Sequence, residues 1–147
     1  MKDSKRTLSI DTKLTQLGRD PDSQFGFVNA PVYRGSTVIF KTVDDLENNR
    51  SRFHYGTEGT PTISHLENAW SEIAGAAGTV LSPSGLGAVS LALLSTLKSG
   101  DHLLMTDSVY KPTRFFCNDF LKRFGVEVTY YDPMIGAGIN ELILLAH

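Results

Sequence analysis

Apolar residues recur at helical spacing from about residue 60 onward. Thr60 can cap a helix whose first residue is Pro61, a position where proline is well tolerated. Apolar side chains then follow at intervals of three and four residues to about residue 76, namely Ile63, Leu66, Trp70 and Ile73. The pattern predicts an amphipathic helix, and we expect Trp70 to be a core residue.

Two further helices are predicted over residues 85–100 and 112–124, and glycines at positions 100 and 125 end them. Short apolar or alternating runs predict three strands, at residues 79–81, 101–106 and 126–131. Strands that alternate with helices favour a parallel sheet with right-handed crossovers. We therefore predict an α/β fold in which the loops after the strands share one edge, where ligands of such folds bind.

The first sixty residues lack this periodicity and contain many glycines and prolines. Within them, only residues 32–40 resemble a strand, and residues 43–48 can form a short helical turn. The segment is nevertheless rich in aromatic side chains, which disordered tails rarely contain. We interpret residues 1–60 as an N-terminal arm ordered by lying on another surface, and residues 61–147 as part of a larger domain.

Composition excludes several classes of protein. The 147 residues carry a formal net charge of −2, which provides no general attraction to nucleic acid or to anionic lipid. No apolar run approaches membrane-spanning length, and the polar start at residues 1–6 lacks a signal core, so the cytoplasm is the simplest location. A single cysteine, Cys117, permits no internal disulfide, and we interpret it as a small buried apolar residue. No metal site is expected.

The turn at residues 82–87, with the sequence SPSGLG, separates a predicted strand from a predicted helix. Backbone N–H groups at a helix start lack intrahelical acceptors, so Ser84, Gly85 and Leu86 can bind a phosphate there. The alternative is that the glycines merely allow close packing of the helix on the sheet. The turn lacks the third glycine of a dinucleotide fingerprint, because position 90 is serine, and no glycine–lysine pair indicates a P-loop.

Tyr110 follows the next predicted strand, at the same edge of the sheet as the turn. On its own the residue could be a surface aromatic that packs at a strand end. Together with the phosphate turn it suggests a ligand with a phosphorylated ring.

Several motifs, taken jointly, resemble the pyridoxal-phosphate-dependent enzymes of cysteine and methionine metabolism, over nearly the whole chain. The matching segments are TQLGRDP at 15–21, PVYRGSTVIF at 31–40, YGTEGTPT at 55–62, SGLGA at 84–88, GDH at 100–102 and DSVYKPT at 107–113. The segments FGV at 124–126 and DPMIGA at 132–137 are closer to the cystathionine β-lyase branch than to the γ-synthases or γ-lyases.

The resemblance implies an incomplete large domain of the type I pyridoxal-phosphate-dependent transferase fold, preceded by the irregular arm. It implies that Ser84, Gly85 and Leu86 hold the cofactor phosphate, and that Tyr110 stacks on the pyridine ring close to the reacting atoms. Tyr55 matches a tyrosine that reaches the phosphate in the neighbouring subunit's site. Thr57 stands where the family commonly has an arginine, so one charged phosphate contact is lost.

For the reaction, the resemblance implies α,β-elimination of a sulfur amino acid such as cystathionine, giving homocysteine, pyruvate and ammonia. The parent enzyme is expected to be a homotetramer built from dimers. Related γ-synthase, γ-lyase and methionine γ-lyase activities are the alternatives within the family.

None of the seven lysines matches the family's serine- and threonine-rich context for the lysine that bonds the cofactor. The ending, residues 142–147, also departs from the polar continuation expected in relatives. We therefore expect an N-terminal fragment that is inactive alone. Two alternatives stay open: a non-catalytic module that binds the cofactor or docks onto a full-length homologue, and an independent α/β domain for another phosphate ligand.

Overall fold

The computed structural model of the chain describes residues 9–144. Contacts divide these residues into two units, the first ending at Leu81 and the second beginning at Ser82. The polar start at residues 1–6 and the last three residues of the divergent ending, 145–147, lie outside the described part. The predicted arm, residues 1–60, was defined by its expected role between subunits and not by contacts within the chain. That division stays a prediction.

In its described part, the first unit contains three helices: α1 (Ile10–Gln16), α2 (Val43–Glu47) and α3 (Pro61–Ala74). Helix α3 begins as predicted, with the Thr60 hydroxyl accepting a hydrogen bond from the Ile63 amide at 3.3 Å. It ends at Gly75, which adopts the left-handed conformation with φ of 62°. Helix α2 also agrees with the sequence pattern.

The sequence predicted no packed helix at the start of the arm, and this prediction is wrong at Ile10–Gln16, where α1 forms. Ser9 caps the helix by accepting a hydrogen bond from the Thr12 amide at 3.3 Å. Lys13 of α1 forms an ion pair with Glu72 of α3 at 3.2 Å, and the two helices are in contact.

Two predicted strands of the first unit are absent from its described residues. In residues 32–40 only Thr37 is paired, through a single antiparallel bridge with Tyr55. Residues 79–81 run beside α3 without strand pairing. There the Leu81 amide donates to the Glu67 carboxylate at 3.2 Å, and the Thr79 hydroxyl hydrogen-bonds to that of Ser71 at 2.8 Å. A helix side chain thus binds the Leu81 amide, a backbone group that a neighbouring strand would pair.

Trp70 is 59 % exposed, so its prediction as a core residue is wrong. It lies on α3, but within residues 9–81 the one buried side chain is polar, that of Gln24. The helical spacing correctly identified a helix, but it did not identify which apolar positions are covered.

The second unit contains α4 (Gly85–Thr96) and a parallel pair of strands, β1 (His102–Thr106) and β2 (Glu127–Tyr131). His102 pairs with Glu127 and Thr106 with Tyr131, so both strands end at one edge. A short helix, α6 (Ile139–Leu144), follows a 3₁₀ turn at Gly136–Gly138. The predicted parallel pairing of these strands is confirmed.

Helix α4 ends four residues before the predicted stop at Gly100. The Asp101 carboxylate accepts the Lys98 amide at 2.8 Å, and Leu97 is already extended, with ψ of 142°. A hydrogen bond from the main chain to the Asp101 side chain therefore stabilises the turn toward β1, which begins before the glycine is reached.

The predicted helix between the strands changes its winding along its length. It begins as α5 (Lys111–Phe115), widens to a π-helical turn at Phe116–Phe120 and tightens to a 3₁₀ turn at Leu121–Phe124. Gly125 ends it with φ of 81°, as predicted. Phe120 lies between Phe116 and Phe124: its ring stacks on that of Phe116, with centroids 5.0 Å apart, and is tilted by 36° against that of Phe124, with centroids 4.6 Å apart.

The apolar core lies between this helical segment, α4 and the strands. Cys117, Leu121 and Val126 are buried, and the surrounding apolar residues are Leu93, Leu97, Leu103, Met105, Phe116 and Val128. The prediction that Cys117 is a buried small apolar residue is confirmed. Within residues 9–144, no helix is long and apolar enough to cross a bilayer.

Candidate functional site

The start of α4 is a capped helix N-terminus with unpaired amides. The Ser84 hydroxyl caps the helix by accepting the Gly87 amide at 3.0 Å. In the part of the chain that the structure describes, the amides of Gly85 and Leu86 donate to no protein acceptor, and both residues are exposed. Because the Ser84 oxygen accepts from Gly87, its own hydrogen stays available. Two free amides and one hydroxyl are therefore available to a phosphate at the positive end of the helix dipole.

Glycine is required at position 87 by close approach. A Cβ atom there would lie 2.6 Å from the Ser82 hydroxyl and 2.9 Å from that of Ser84. At Gly85, by contrast, a Cβ atom would meet nothing within 4 Å, so a side chain can be accommodated there. The turn is thus crowded at Gly87, where the cap forms, and open at Gly85.

Tyr110 lies in the same unit, at the end of the loop that follows β1. Its side chain is 65 % exposed, and its carbonyl accepts the Arg114 amide at 3.2 Å as α5 begins. Helices α4 and α5 are in contact, so the turn and Tyr110 occur on packed neighbours. A cleft of about 350 Å³ opens beside the loop at the ends of the strands, lined by Asp107, Ser108, Tyr130, Tyr131, Asp132 and Pro133.

Tyr55 and Thr57 belong to the first unit. Tyr55 is 44 % exposed and carries the bridge to Thr37, while Thr57 is exposed. The residue between them, Gly56, donates to the Ser36 carbonyl at 2.7 Å. The Gly35 carbonyl occupies the place of a Cβ atom at Gly56, so this segment also requires glycine. The roles of Tyr55 and Thr57 at the phosphate stay predictions.

Two titratable groups lie under the loop. Burial raises the pKa of the Cys117 thiol above its usual value, although Lys122 opposes the shift. Burial also raises the pKa of Tyr130, and the nearby Cys117 adds to the rise. Both groups are therefore protonated at neutral pH, which disfavours a nucleophilic role for Cys117.

Two residues of this region escaped the sequence predictions. Ser82 lines the turn, and Arg114 holds the Tyr110 loop through contacts with Asp107 and Tyr130. Ser82 belongs to the small-residue turn and could have been included from it. No sequence signal marks Arg114, because its partners are seven and sixteen residues away.

A larger cleft, of about 530 Å³, lies within the first unit and contains none of the predicted site residues. Among residues 9–144, no group of three or more histidine, cysteine, aspartate or glutamate side chains is arranged to bind a metal.

Comparison with known proteins decides the family. The model for the Cys/Met metabolism PLP-dependent enzymes matches residues 11–144. The chain belongs to this family. It is 60 % identical over 134 residues to a Saccharomyces cerevisiae protein provisionally named a cystathionine β-lyase, covering 91 % of this chain and 39 % of that protein. A Rhizobium johnstonii protein with the same provisional name is 50 % identical over 133 residues, covering 90 % of this chain and 34 % of that protein.

A solved structure agrees with the fold. The crystal structure of metB from Corynebacterium glutamicum superposes with a TM-score of 0.80 at 27 % identity, over 96 % of this chain and 35 % of that protein. The chain spans between a third and two-fifths of the length of these relatives. The predicted family and the partial α/β fold of its cofactor-binding domain are confirmed.

Pyridoxal phosphate is the family's cofactor, and the second unit fits part of it. The free amides of Gly85 and Leu86 and the Ser84 hydroxyl suit its phosphate group. The exposed ring of Tyr110 suits an aromatic partner. These fits concern the phosphate and the ring, and involve none of the chain's lysines.

Proposed function

We propose that this chain forms the phosphate-and-ring part of a pyridoxal-phosphate site in a carbon–sulfur lyase of the cystathionine β-lyase type. The observation that carries the proposal is the start of α4, where the amides of two exposed residues have no protein acceptor beside a capping serine. The similarity to two proteins provisionally named as cystathionine β-lyases supports the reaction type.

The residues divide the binding between two groups of contacts. Gly85 and Leu86 donate backbone hydrogen bonds to the phosphate, and Ser84 adds a hydroxyl donor. Tyr110 packs against the ring and orients it relative to the substrate. When bound, the cofactor withdraws electrons from the substrate's α-carbon after that carbon loses its proton. The overall reaction is the elimination of homocysteine from cystathionine, with hydrolysis of the remainder to pyruvate and ammonia.

We further propose that these 147 residues do not catalyse the elimination by themselves. None of the seven lysines lies in the family's context for the lysine that bonds the cofactor. The closest in sequence to the site, Lys111, is exposed, and its ammonium group lies 5.5 Å from the Phe115 ring centroid.

Binding of pyridoxamine 5′-phosphate to the chain tests the site. This probe has the same phosphate and ring as the cofactor but lacks the aldehyde, so it cannot bond to surface lysines. Gly85→Asp places a carboxylate in the first turn of α4, at a position with room for a side chain, where it repels a nearby phosphate yet suits the helix start. We expect the unaltered chain to bind the probe and Gly85→Asp to lose at least about tenfold in affinity, equivalent to about 1.4 kcal/mol.

The matched control is Gly78→Asp, which adds the same charge at another open position, in the first unit. It should bind the probe like the unaltered chain. Equal binding by Gly85→Asp would place the ligand elsewhere and overturn the proposed site. Release of pyruvate from cystathionine by the purified chain with added pyridoxal phosphate would overturn its predicted inactivity.

A further inference from the structure

Arg114 makes an unusual set of contacts around the loop that carries Tyr110. Its guanidinium forms an ion pair with the Asp107 carboxylate and donates to the Asp107 carbonyl at 3.2 Å. The same guanidinium lies over the ring of Tyr130, 3.8 Å from its centroid. The side chain is about one-third exposed, whereas that of Asp107 is about two-thirds exposed.

The main chain of Arg114 takes part as well. Its amide donates to the Tyr110 carbonyl at 3.2 Å, and its carbonyl accepts from the Tyr130 hydroxyl at 3.4 Å. One residue therefore contacts Asp107, where the loop begins, and Tyr110, where it ends.

The loop is also fixed to the sheet at its first residue. The Asp107 amide donates to the Tyr131 carbonyl at 2.7 Å, directly after the last pair of the parallel strands. Arg114 extends this connection, because Tyr130 is the preceding residue of β2 and lies beneath the guanidinium. The two residues between the ends, Ser108 and Val109, are thus held from the strand side and from the helix side.

This arrangement depends on the shape of arginine. A planar guanidinium can stack on a ring while its edge donates to a carbonyl and a carboxylate together. A lysine ammonium is a point charge on a flexible stem and cannot make both contacts in the same way. Glutamine retains polar atoms but loses the charge.

We propose that Arg114 is a positioning residue that fixes Tyr110 for its contact with the cofactor ring. Arg114 itself touches neither the ring nor the phosphate, and acts through the loop at residues 107–110. The inference rests on the proposed function, since it assigns a cause to the placement of the ring-binding residue.

Two ligands separate this role from a general effect on stability. Pyridoxamine 5′-phosphate uses the turn and Tyr110, whereas inorganic phosphate uses the turn alone. In Arg114→Gln we expect affinity for pyridoxamine 5′-phosphate to fall about tenfold, within the range known for loss of an aromatic stacking partner. Affinity for inorganic phosphate should stay within about twofold, because the turn is held by its own hydrogen bonds.

Arg123→Gln is the matched control, because Arg123 is exposed on the same helical segment and forms no ion pair with the described residues. It should leave both affinities unchanged. Arg114→Lys should restore less than half of the lost affinity, since it returns the charge without the planar contacts. Equal losses for both ligands in Arg114→Gln, or full rescue by lysine, would overturn the positioning role.

Hydrogen exchange on the free chain gives a readout that needs no ligand. We expect the two hydrogen-bonded amides of this loop, those of Asp107 and Val109, to exchange at least about tenfold faster in Arg114→Gln than in Arg123→Gln, because local opening becomes easier. Unchanged exchange would overturn the inference even if the chain binds no pyridoxamine 5′-phosphate. Failure of the unaltered chain to bind that probe would instead overturn the proposed function. If Arg114→Gln does not fold, Arg114→Lys is judged by the same exchange measurement.

Discussion

The two units of the chain are stabilised in different ways. In the second, the side chains of Cys117, Leu121 and Val126 are buried together between a helix and a parallel strand pair. In the first, the buried side chain within the described residues is Gln24, which is 4 % exposed. Large apolar residues of this unit are open to solvent, among them Phe25 at 96 % and Ile39 at 91 % exposure.

Gln24 holds the first unit by hydrogen bonds that an apolar core would not provide. In the amide orientation that satisfies both of its polar atoms, Gln24 accepts from His65 Nε2 at 3.0 Å. Its nitrogen then donates to the Asn29 and Phe27 carbonyls at 3.1 and 3.2 Å. A polar side chain thus joins a loop to α3. The turn at residues 82–87 and Tyr110 therefore belong to the unit with an apolar core, whereas Tyr55 and Thr57 belong to the unit without one.

The largest effect is expected from Leu121→Ala in the second unit. Leu121 is 1 % exposed, and removal of a buried leucine side chain costs about 2–5 kcal/mol of the free energy of unfolding. Hydrogen exchange at the amides of β1 and β2 measures the loss. Leu94→Ala is the control, because Leu94 is 50 % exposed on α4. The urea unfolding transition reported by fluorescence of Trp70, in the first unit, should change little in Leu121→Ala. If the first unit lost as much stability as β1 and β2, the two units would unfold as one.

A smaller effect is expected from Gln24→Ala in the first unit. The substitution removes the hydrogen bonds of a buried side chain to His65 and to the Phe27 and Asn29 carbonyls, each worth about 0.5–1.5 kcal/mol. Trp70 fluorescence during urea unfolding should report the loss, while exchange at β1 and β2 should be unaffected. Gln16→Ala, at an exposed position of α1, is the matched control. If the two glutamine variants unfold alike, the hydrogen bonds of Gln24 do not stabilise the first unit.

High pH should weaken the second unit selectively. The pKa values of Cys117 and Tyr130 are raised in the folded chain, mainly by burial, so the folded state keeps protons that the unfolded state releases. This stability is present below the unfolded pKa values and is lost as the pH rises through the folded ones. Exchange protection of β1 and β2, corrected for intrinsic rates, should fall between about pH 8 and 11, given ordinary pKa values near 8.5 and 10. In Cys117→Ala, the exchange protection of β1 and β2 should fall less steeply with rising pH. If the slope is unchanged, the Cys117 thiol does not contribute to this pH dependence.

Low pH should have the smallest effect on the first unit. Hydrogen bonds from Ser23 lower the pKa of Asp20, with Ser23 Oγ only 2.6 Å from the carboxylate. The stability from this group is present above the unfolded pKa and is lost as the pH falls through the folded one. The first unit, followed by Trp70 fluorescence during urea unfolding, should therefore be slightly less stable below about pH 4, near the ordinary pKa of aspartate. Asp20→Asn should remove part of that dependence, whereas the exposed Asp22→Asn should preserve it.

The sequence predicted the starts of α3 and α4 better than the packing of these helices. The cap of α3 at Thr60 and the turn at Ser84 both involve atoms within three residues along the chain. Such local hydrogen bonds depend on residue type and spacing, which can be read directly. The same kind of local signal is present at α1, where the Ser9 hydroxyl accepts from the Thr12 amide and Ile10, Leu14 and Leu17 follow at helical spacing. Glycines and prolines dominate the surrounding segment and obscure this signal.

Predictions that needed a distant partner were less accurate. Residues 79–81 have the composition of a strand, but Glu67 and Ser71 of α3 bind their polar groups instead. Phe120 and Phe124 fit a helix that faces a core, yet they are 38 % and 60 % exposed and pack against one another. Periodicity indicates that a face is apolar, and it does not say what covers that face.

The sequence by itself determined the family and the start of α4 at Ser84, because these depend on short motifs and on hydrogen bonds between near neighbours. It also predicted β1 and β2, because strands that alternate with helices favour parallel pairing. Only the tertiary structure decided which apolar side chains are buried and how the Tyr110 loop is held. Arg114 joins Asp107, seven residues before it, to Tyr130, sixteen residues after it. That junction exists because β1 and β2 pair in parallel, with Thr106 opposite Tyr131, so the loop's first residue lies next to the end of β2.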